Sequence, residues 1–220
     1  MTPERRRTLQ IAFLVVVSVT FAVLAHAAIV QGVSPTVGAL LSLMPASLFA
    51  GWAVSRTRHR VAASLVLALV AVALALGWPQ LERHFPDVFF LEHVIINLVL
   101  AAVFGRTLFG ARVPLVTRFA RMIHGELPAE VERYARKVTI AWTALFLGIA
   151  AASCVLYLGG WLPAWSFLAN FLNPLLLGAM FLLEYVVRHR VLPNWERVGV
   201  LGGVRAFSRH FQAARFEAPR

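Results

Sequence analysis

The stretch GRTLFGARVPLVTRFARMIHGELPAEVERYARKV, from Gly105 to Val138, separates two strongly apolar runs. It carries Arg106, Arg112, Arg118, Arg121, Arg133, Arg136 and Lys137, a third of the chain's 21 Lys and Arg residues. Its flanks are too long and too continuous to be core strands. The same holds along the chain: of 220 residues, 60% are hydrophobic and 14% charged, more apolar side chain than a soluble domain of this size can bury. Six runs of roughly 17 to 23 residues are long enough to cross a ~30 Å hydrocarbon core as helices. They are Ile11–Ile29, Val37–Val54, Val61–Trp78, Val88–Phe104, Val138–Tyr157 and Trp165–Val187. Continuity, not alternation, favours helices over a barrel. The expected fold is all-α: a single polytopic domain of six transmembrane helices.

Charge placement predicts the orientation. With the N-terminus inside, so are Arg5, Arg6 and Arg7, the loop with Arg56, Arg58 and Arg60, the opening stretch and the basic tail from Arg188 onward. Arg83 alone falls outside. Lys and Arg are retained in cytoplasmic loops, so this asymmetry predicts both termini in the cytoplasm. The net charge of +11 then reports topology and not nucleic acid. The start of the chain, ERRR with an apolar run and AHA at Ala25–Ala27, imitates a cleavable signal peptide. The run continues through Ile29, which favours a retained helix. The single Cys154 lies in the fifth run and reads as a small core residue.

The outer loops, QGVSP, PQLERHFPDV and GGWLP, are short, and Pro86 is placed to start the fourth helix. The inner face is different. Leu115, Val116, Phe119, Met122 and Ile123 form one apolar stripe on a helix over Pro114–His124, which Gly125 stops. Pro128 opens a second helix, with Glu130 and Glu132 in its first turn and an expected Glu132–Arg136 pair, running on into the fifth span. The stretch 105–137 is thus expected to be an amphipathic helical hairpin on the cytoplasmic side between helices 4 and 5. It reads as an interfacial anchor with its stripe in lipid. It also reads as a docking surface for an acidic partner, formed by Arg112, Arg118, Arg121, Arg133, Arg136 and Lys137.

Polar groups inside the spans mark the candidate sites. On the last helix Asn170, Asn173, Leu177, Met180 and Glu184 fall within about 80° of one another, and Pro174 leaves the Asn170 carbonyl without its helical donor. This stripe is expected to face the bundle interior, as helix-to-helix glue or as the lining of a cavity. On the fourth helix His93 and Asn97 share a face, with Glu92 about 100° away. His26 of the first helix lies at a similar depth, so a His26/Glu92/His93 cluster is geometrically possible. No pair has a metal-specific spacing, so an interfacial hydrogen-bond network is the leading reading and no cofactor or metal is expected. There is no P-loop, dinucleotide fingerprint, G-x-S-x-G or H-E-x-x-H motif. Ser153 and Cys154 have no base nearby in sequence. The tail segment RAFSRHFQAARF interleaves arginine with aromatics and reads as lipid-binding.

GRTL, then PLVTRFARMIHGELPAEVERYARKVTIAW, then FLANFLNPLLLGAMFLLEYVVRHRVLP, spanning Gly105 to Pro193, resembles a family of uncharacterised bacterial inner-membrane proteins. The genes of that family lie among those for aryl-polyene (xanthomonadin-type) pigment biosynthesis, beside ketosynthases, dehydratases, acyl carrier proteins and acyltransferases. The resemblance implies a pathway and no catalytic residues. It implies an accessory membrane protein of polyketide or fatty-acyl-type lipid biosynthesis, docking acidic acyl carrier proteins or soluble enzymes at the inner leaflet. The alternatives are a small transporter or flippase for the lipid product and a membrane-embedded acyltransferase.

Overall fold

The computed structural model describes residues 3–32 and 34–192. The tail segment RAFSRHFQAARF lies outside the described residues, as does the basic tail beyond 192. Among the described residues every regular element is helical. The α-helices are α1 Pro3–Gln31, α2 Pro35–Arg56, α3 Arg60–Leu76, α4 Trp78–Gly105, α5 Leu115–His124, α6 Ala129–Leu158, α7 Leu162–Phe167 and α8 Asn173–Val191. A 3₁₀ turn, Arg106–Leu108, follows α4, and a π turn, Leu168–Leu172, joins α7 to α8.

Among the described residues five segments are long and apolar enough to cross a membrane: Arg5–Gln31, Pro35–Arg56, Trp78–Leu108, Ala129–Leu158 and Leu162–Val191. α3, with 17 residues, is a shorter apolar helix. At 1.5 Å per residue it reaches about 26 Å, just short of a typical hydrocarbon core. Large apolar side chains face outward on these helices: Phe13 is 67% exposed, Leu48 67% and Leu69 70%. Such surface is stable only where lipid, not water, covers it.

Two helices depart from the sequence expectation. The loop expected to run to Val88 is instead the first part of α4, which starts at Trp78. Glu82 supports this turn by accepting from the Trp78 indole N–H at 2.9 Å and from the Thr36 hydroxyl. The Pro86 effect appears as a kink: His84 leaves helical geometry at φ −117°, ψ 17°. Pro86 lacks the N–H that would bond the Glu82 carbonyl, so the turn that holds His84 is short of one helical bond. The last expected helix is also not uniform. In the π turn the Asn173 N–H donates to the Leu168 carbonyl, five residues back, immediately before Pro174. A π turn inserts one residue into the helical wheel, so spacing arguments that assume 100° per residue drift across it.

The chain packs as two compact units. The first comprises Met1–Ile95 and Ala152–Pro174. In it α1 packs against α2 and α7, and α2 against α3. Ser34 caps α2, its Oγ accepting from the Val37 N–H at 3.4 Å, with Pro35 in the first turn. The core holds Ala25, Ala28, Ala39, Phe85, Phe89 and Trp165. Tyr157 stacks on Phe90 at 4.1 Å and meets the edge of Trp165. Gly38 is needed here: a Cβ would lie 2.5 Å from the Phe85 ring.

The second unit comprises Ile96–Ala151 and Leu175–Arg220. Its core is Ala101, Val138, Trp142 and Phe146, with Leu177 and Met180 packed against them. α5 stops at Gly125, which takes φ 76°, a conformation glycine adopts without a Cβ clash. α6 then runs unbroken from Ala129 to Leu158.

Candidate functional site

In the second unit α5 roofs an apolar cavity. Pro114 caps α5 with no side-chain bond of its own. Two threonines supply what is missing. The Thr107 Oγ1 accepts from the Leu115 N–H at 3.0 Å and the Thr139 Oγ1 accepts from the Val116 N–H at 3.3 Å. Each threonine also donates to a carbonyl of its own segment, Phe104 at 2.6 Å and Ala135 at 2.9 Å. Free N–H groups at a helix start need such acceptors. At the other end of α5 the Arg121 guanidinium binds the Glu132 carboxylate through both Nε and Nη2. Glu132 therefore pairs with Arg121 and not with Arg136, whose Nη2 donates to the Leu108 carbonyl. The planar guanidinium offers two donors to one carboxylate, which an i,i+4 pair on one helix cannot better.

Beneath α5 lies a cavity of about 490 Å³. Val116, Phe119, Ala120 and Ile123 of α5 face Phe104 of α4, Trp142 and Phe146 of α6 and Phe181 of α8 across it. Most of the stripe that the sequence pointed to lipid thus lines a space in the protein, while Met122 stays exposed. The reason is tertiary: the two threonine bonds fix the roll of α5 about its axis. The polar side chains on the cavity wall are few. They are His124, Tyr134, Glu184 and Arg188. Tyr134 donates to the Glu184 carbonyl at 3.0 Å, and the Arg188 Nε lies 3.5 Å from the Glu184 carboxylate. A concave, mostly apolar space with a small polar group set is the usual form of a small-molecule site.

The first unit holds a separate polar centre. His93 has Ser153 Oγ at 2.9 Å from its Nδ1 and Asn173 Nδ2 at 3.1 Å from its Nε2. His26 Nδ1 lies 2.9 Å from Ser166 Oγ, and Asn170 donates to the Ser166 carbonyl at 2.9 Å and to its Oγ at 3.2 Å. The His26 ring also meets Phe171 edge-on. Ser153 and Ser166 are fully buried. Both asparagines are set by the π turn, Asn170 within it and Asn173 at its exit.

Of the residues singled out in the sequence, Asn170, Asn173, Leu177, Met180 and Glu184 are all half-buried, between exposed Leu175 and Phe181–Leu183. Asn97 is buried and Glu92 half-buried. The possible His26/Glu92/His93 cluster does not form. Among the described residues no three His, Cys, Asp or Glu side chains are grouped to hold a metal. The two histidines turn instead to serines and asparagines, neutral partners that cost less to bury than carboxylate. Ser153 and Ser166 were missed as histidine partners, because each is far from its histidine in sequence. The available signal was the small, polar residue on an otherwise apolar span. The candidate docking residues Arg112, Arg118, Arg121, Arg133, Arg136 and Lys137 are all exposed. Arg121 is held by Glu132, and Arg112 donates to the Arg106 carbonyl at 3.2 Å.

Fold and sites together define, among the described residues, an all-helical protein with several membrane-length helices, an apolar cavity in the second unit and a polar centre in the first. Comparison of the chain with protein-family models, curated proteins and solved structures gives no match.

Proposed function

We propose that this chain is an accessory protein of the bacterial inner membrane that holds an acyl or polyene chain of a lipid-like biosynthetic pathway. It has six spans, α3 included, and both ends in the cytoplasm, a reading supported by the distribution of Lys and Arg. α5 and the start of α6 form a hairpin at the inner leaflet. The observation that carries the reading is the cavity of about 490 Å³ under α5, apolar throughout except for Tyr134, Glu184, Arg188 and His124. A long hydrocarbon is the ligand such a wall favours, since burial of each CH₂ contributes about 0.8 kcal/mol. The exposed arginines beside the cavity suit an acidic acyl carrier or a soluble biosynthetic enzyme delivering that chain. The resemblance of Gly105–Pro193 to proteins of aryl-polyene biosynthesis supplies the pathway context.

The test uses cis-parinaric acid, a fluorescent polyene fatty acid, with the purified full chain in detergent. Energy transfer from tryptophan to the probe is expected to saturate and to drop in Trp142→Phe. Ala135→Trp, which fills the cavity from α6, is expected to abolish saturable binding while the helical content and elution volume stay unchanged. Saturable binding that persists in Ala135→Trp places the probe elsewhere and rejects this reading.

A second reading, a small transporter or flippase, is favoured by the polar centre around His93 and His26. It requires water to reach Asn173. A water-soluble thiol reagent is expected to label Asn173→Cys if that reading holds, and to leave it unlabelled if it does not.

A further inference from the structure

We infer that the chain held under α5 carries a neutral head that both donates and accepts hydrogen bonds, an amide being the simplest, and not an ionised carboxylate or phosphate. The inference rests on the acyl-binding reading of that cavity and names the chemical class of its ligand.

The polar groups on the cavity wall are His124, Tyr134, Glu184 and Arg188. Glu184 and Arg188 stand one turn apart on α8, with the Arg188 Nε 3.5 Å from a Glu184 carboxylate oxygen. Their charges offset each other, so the pair presents no net charge to a ligand. Both side chains are half-buried, and water and salt screen the Glu184 charge less there than on an open surface. The Tyr134 hydroxyl has a single hydrogen, which it donates to the Glu184 main-chain carbonyl at 3.0 Å. What Tyr134 has left for a ligand is oxygen lone pairs. A guanidinium carries more N–H groups than one carboxylate at that distance takes up, and the carboxylate has more lone pairs than one Nε occupies. In its neutral form the His124 imidazole adds a donor and an acceptor and leaves the balance unchanged. The wall therefore offers donors from Arg188 and acceptors from Glu184 and Tyr134.

An ionised carboxylate only accepts. It would satisfy Arg188, leave Glu184 and the Tyr134 oxygen without a donor, and set a second negative charge against Glu184. Like charges in a poorly screened place repel strongly. A phosphate meets the same conflict with more charge. An ester avoids the repulsion but donates nothing. An amide meets both needs: its carbonyl accepts from Arg188, and its N–H donates to the Glu184 carboxylate or the Tyr134 oxygen. Leaving such wall groups unpaired is unfavourable, so a fixed set of donors and acceptors selects between heads where an apolar wall cannot. Arg118, Arg133 and Lys137 are exposed, and salt screens their attraction for an anion.

The experiment displaces cis-parinaric acid from the purified full chain in detergent with oleamide, methyl oleate or oleate, which share one hydrocarbon chain. It is run in physiological salt at about pH 9, where oleate is ionised. Concentrations are counted within the micelles, where these ligands reside. Oleamide is expected to displace the probe at about tenfold lower concentration than oleate, the effect of one hydrogen bond to a charged group. Methyl oleate is expected to be weaker than oleamide. Glu184→Gln removes the negative charge and keeps the shape, and is expected to strengthen oleate and shrink the preference for oleamide. Arg188→Gln is expected to weaken oleate and widen it. Helical content and elution volume check that both variants are folded. Oleate that displaces the probe as well as oleamide overturns the inference and leaves the acyl-binding reading standing. So does a preference that Glu184→Gln does not move. Failure of all the ligands to displace the probe rejects the acyl-binding reading, and the inference with it.

Discussion

Thr139 and Thr117 lie a few residues from each other's contacts and carry opposite consequences. The Thr139 hydroxyl is buried, accepts from the Val116 N–H and donates to the Ala135 carbonyl. The Thr117 hydroxyl is as deeply buried and, among the described residues, has no partner. Removing a hydroxyl that satisfies a buried N–H costs the desolvation of that group, about 1 to 3 kcal/mol. Removing one that satisfies nothing relieves the same kind of cost. Thr139→Val is therefore expected to loosen α5, seen as hydrogen exchange in Leu115–His124 that speeds by about tenfold or more, with α6 itself unchanged. Thr117→Val is expected to leave exchange in α5 equal or slower. Faster exchange in the Thr117 variant would contradict the hydrogen-bond assignment given to both residues. None of this was legible in the sequence, where threonine in an apolar run reads as an ordinary helical residue. A residue's hydrogen-bond partner more than 20 positions away is set by the fold.

At the scale of elements, α5 shows how a stripe can be legible in the sequence while what it meets is not. The spacing of Val116, Phe119 and Ile123 gives a helix with one apolar face, and that helix is present. The spacing does not say what the face meets, because lipid and a protein cavity favour the same side chains. The charged face is separable in the same way. Arg121 clips α5 to Glu132, whereas Arg118, Arg133 and Lys137 are exposed. Changing these three to Gln is expected to leave the protein folded and inserted and to lower recovery of an acidic carrier by about tenfold, at roughly 0.5 kcal/mol per exposed charge. High salt is expected to do the same to the unaltered chain. Arg121→Gln alone is expected to act differently, freeing the C-terminal end of α5. Carrier recovery indifferent to both salt and the triple change would leave the hairpin as an anchor only.

For the whole molecule, the testable statement is orientation. The tract of Arg56, Arg58 and Arg60, and the tract containing His124, carry the basic excess, while Arg83 stands apart from it. Reporter fusions at Arg58 and His124 are expected to read cytoplasmic, and a fusion at Arg83 periplasmic. A periplasmic reading at His124 would reject the six-span arrangement. The count rests on α3, whose 17 residues fall slightly short of a typical hydrocarbon core. Local thinning or the flanking Arg60 and Trp78 absorb a mismatch of a few ångströms at modest cost.

The sequence by itself determined that the chain is helical, that its helices are apolar enough for a bilayer, where α5 ends and that α6 opens after Pro128. Those properties depend on composition, on 3.6-residue spacing and on Pro and Gly at particular positions, all local quantities. It also marked Asn170, Asn173, His93 and His26 as polar groups that need partners in a low-dielectric interior. Only the tertiary structure decided which partners. Ser153 and Ser166 reach their histidines from 60 and 140 positions away, and the π turn before Pro174 sets the asparagines that complete each group. The cavity under α5 is likewise an outcome of packing. A hydrogen bond or a cavity is a relation between surfaces, and no stretch of sequence contains both sides of it.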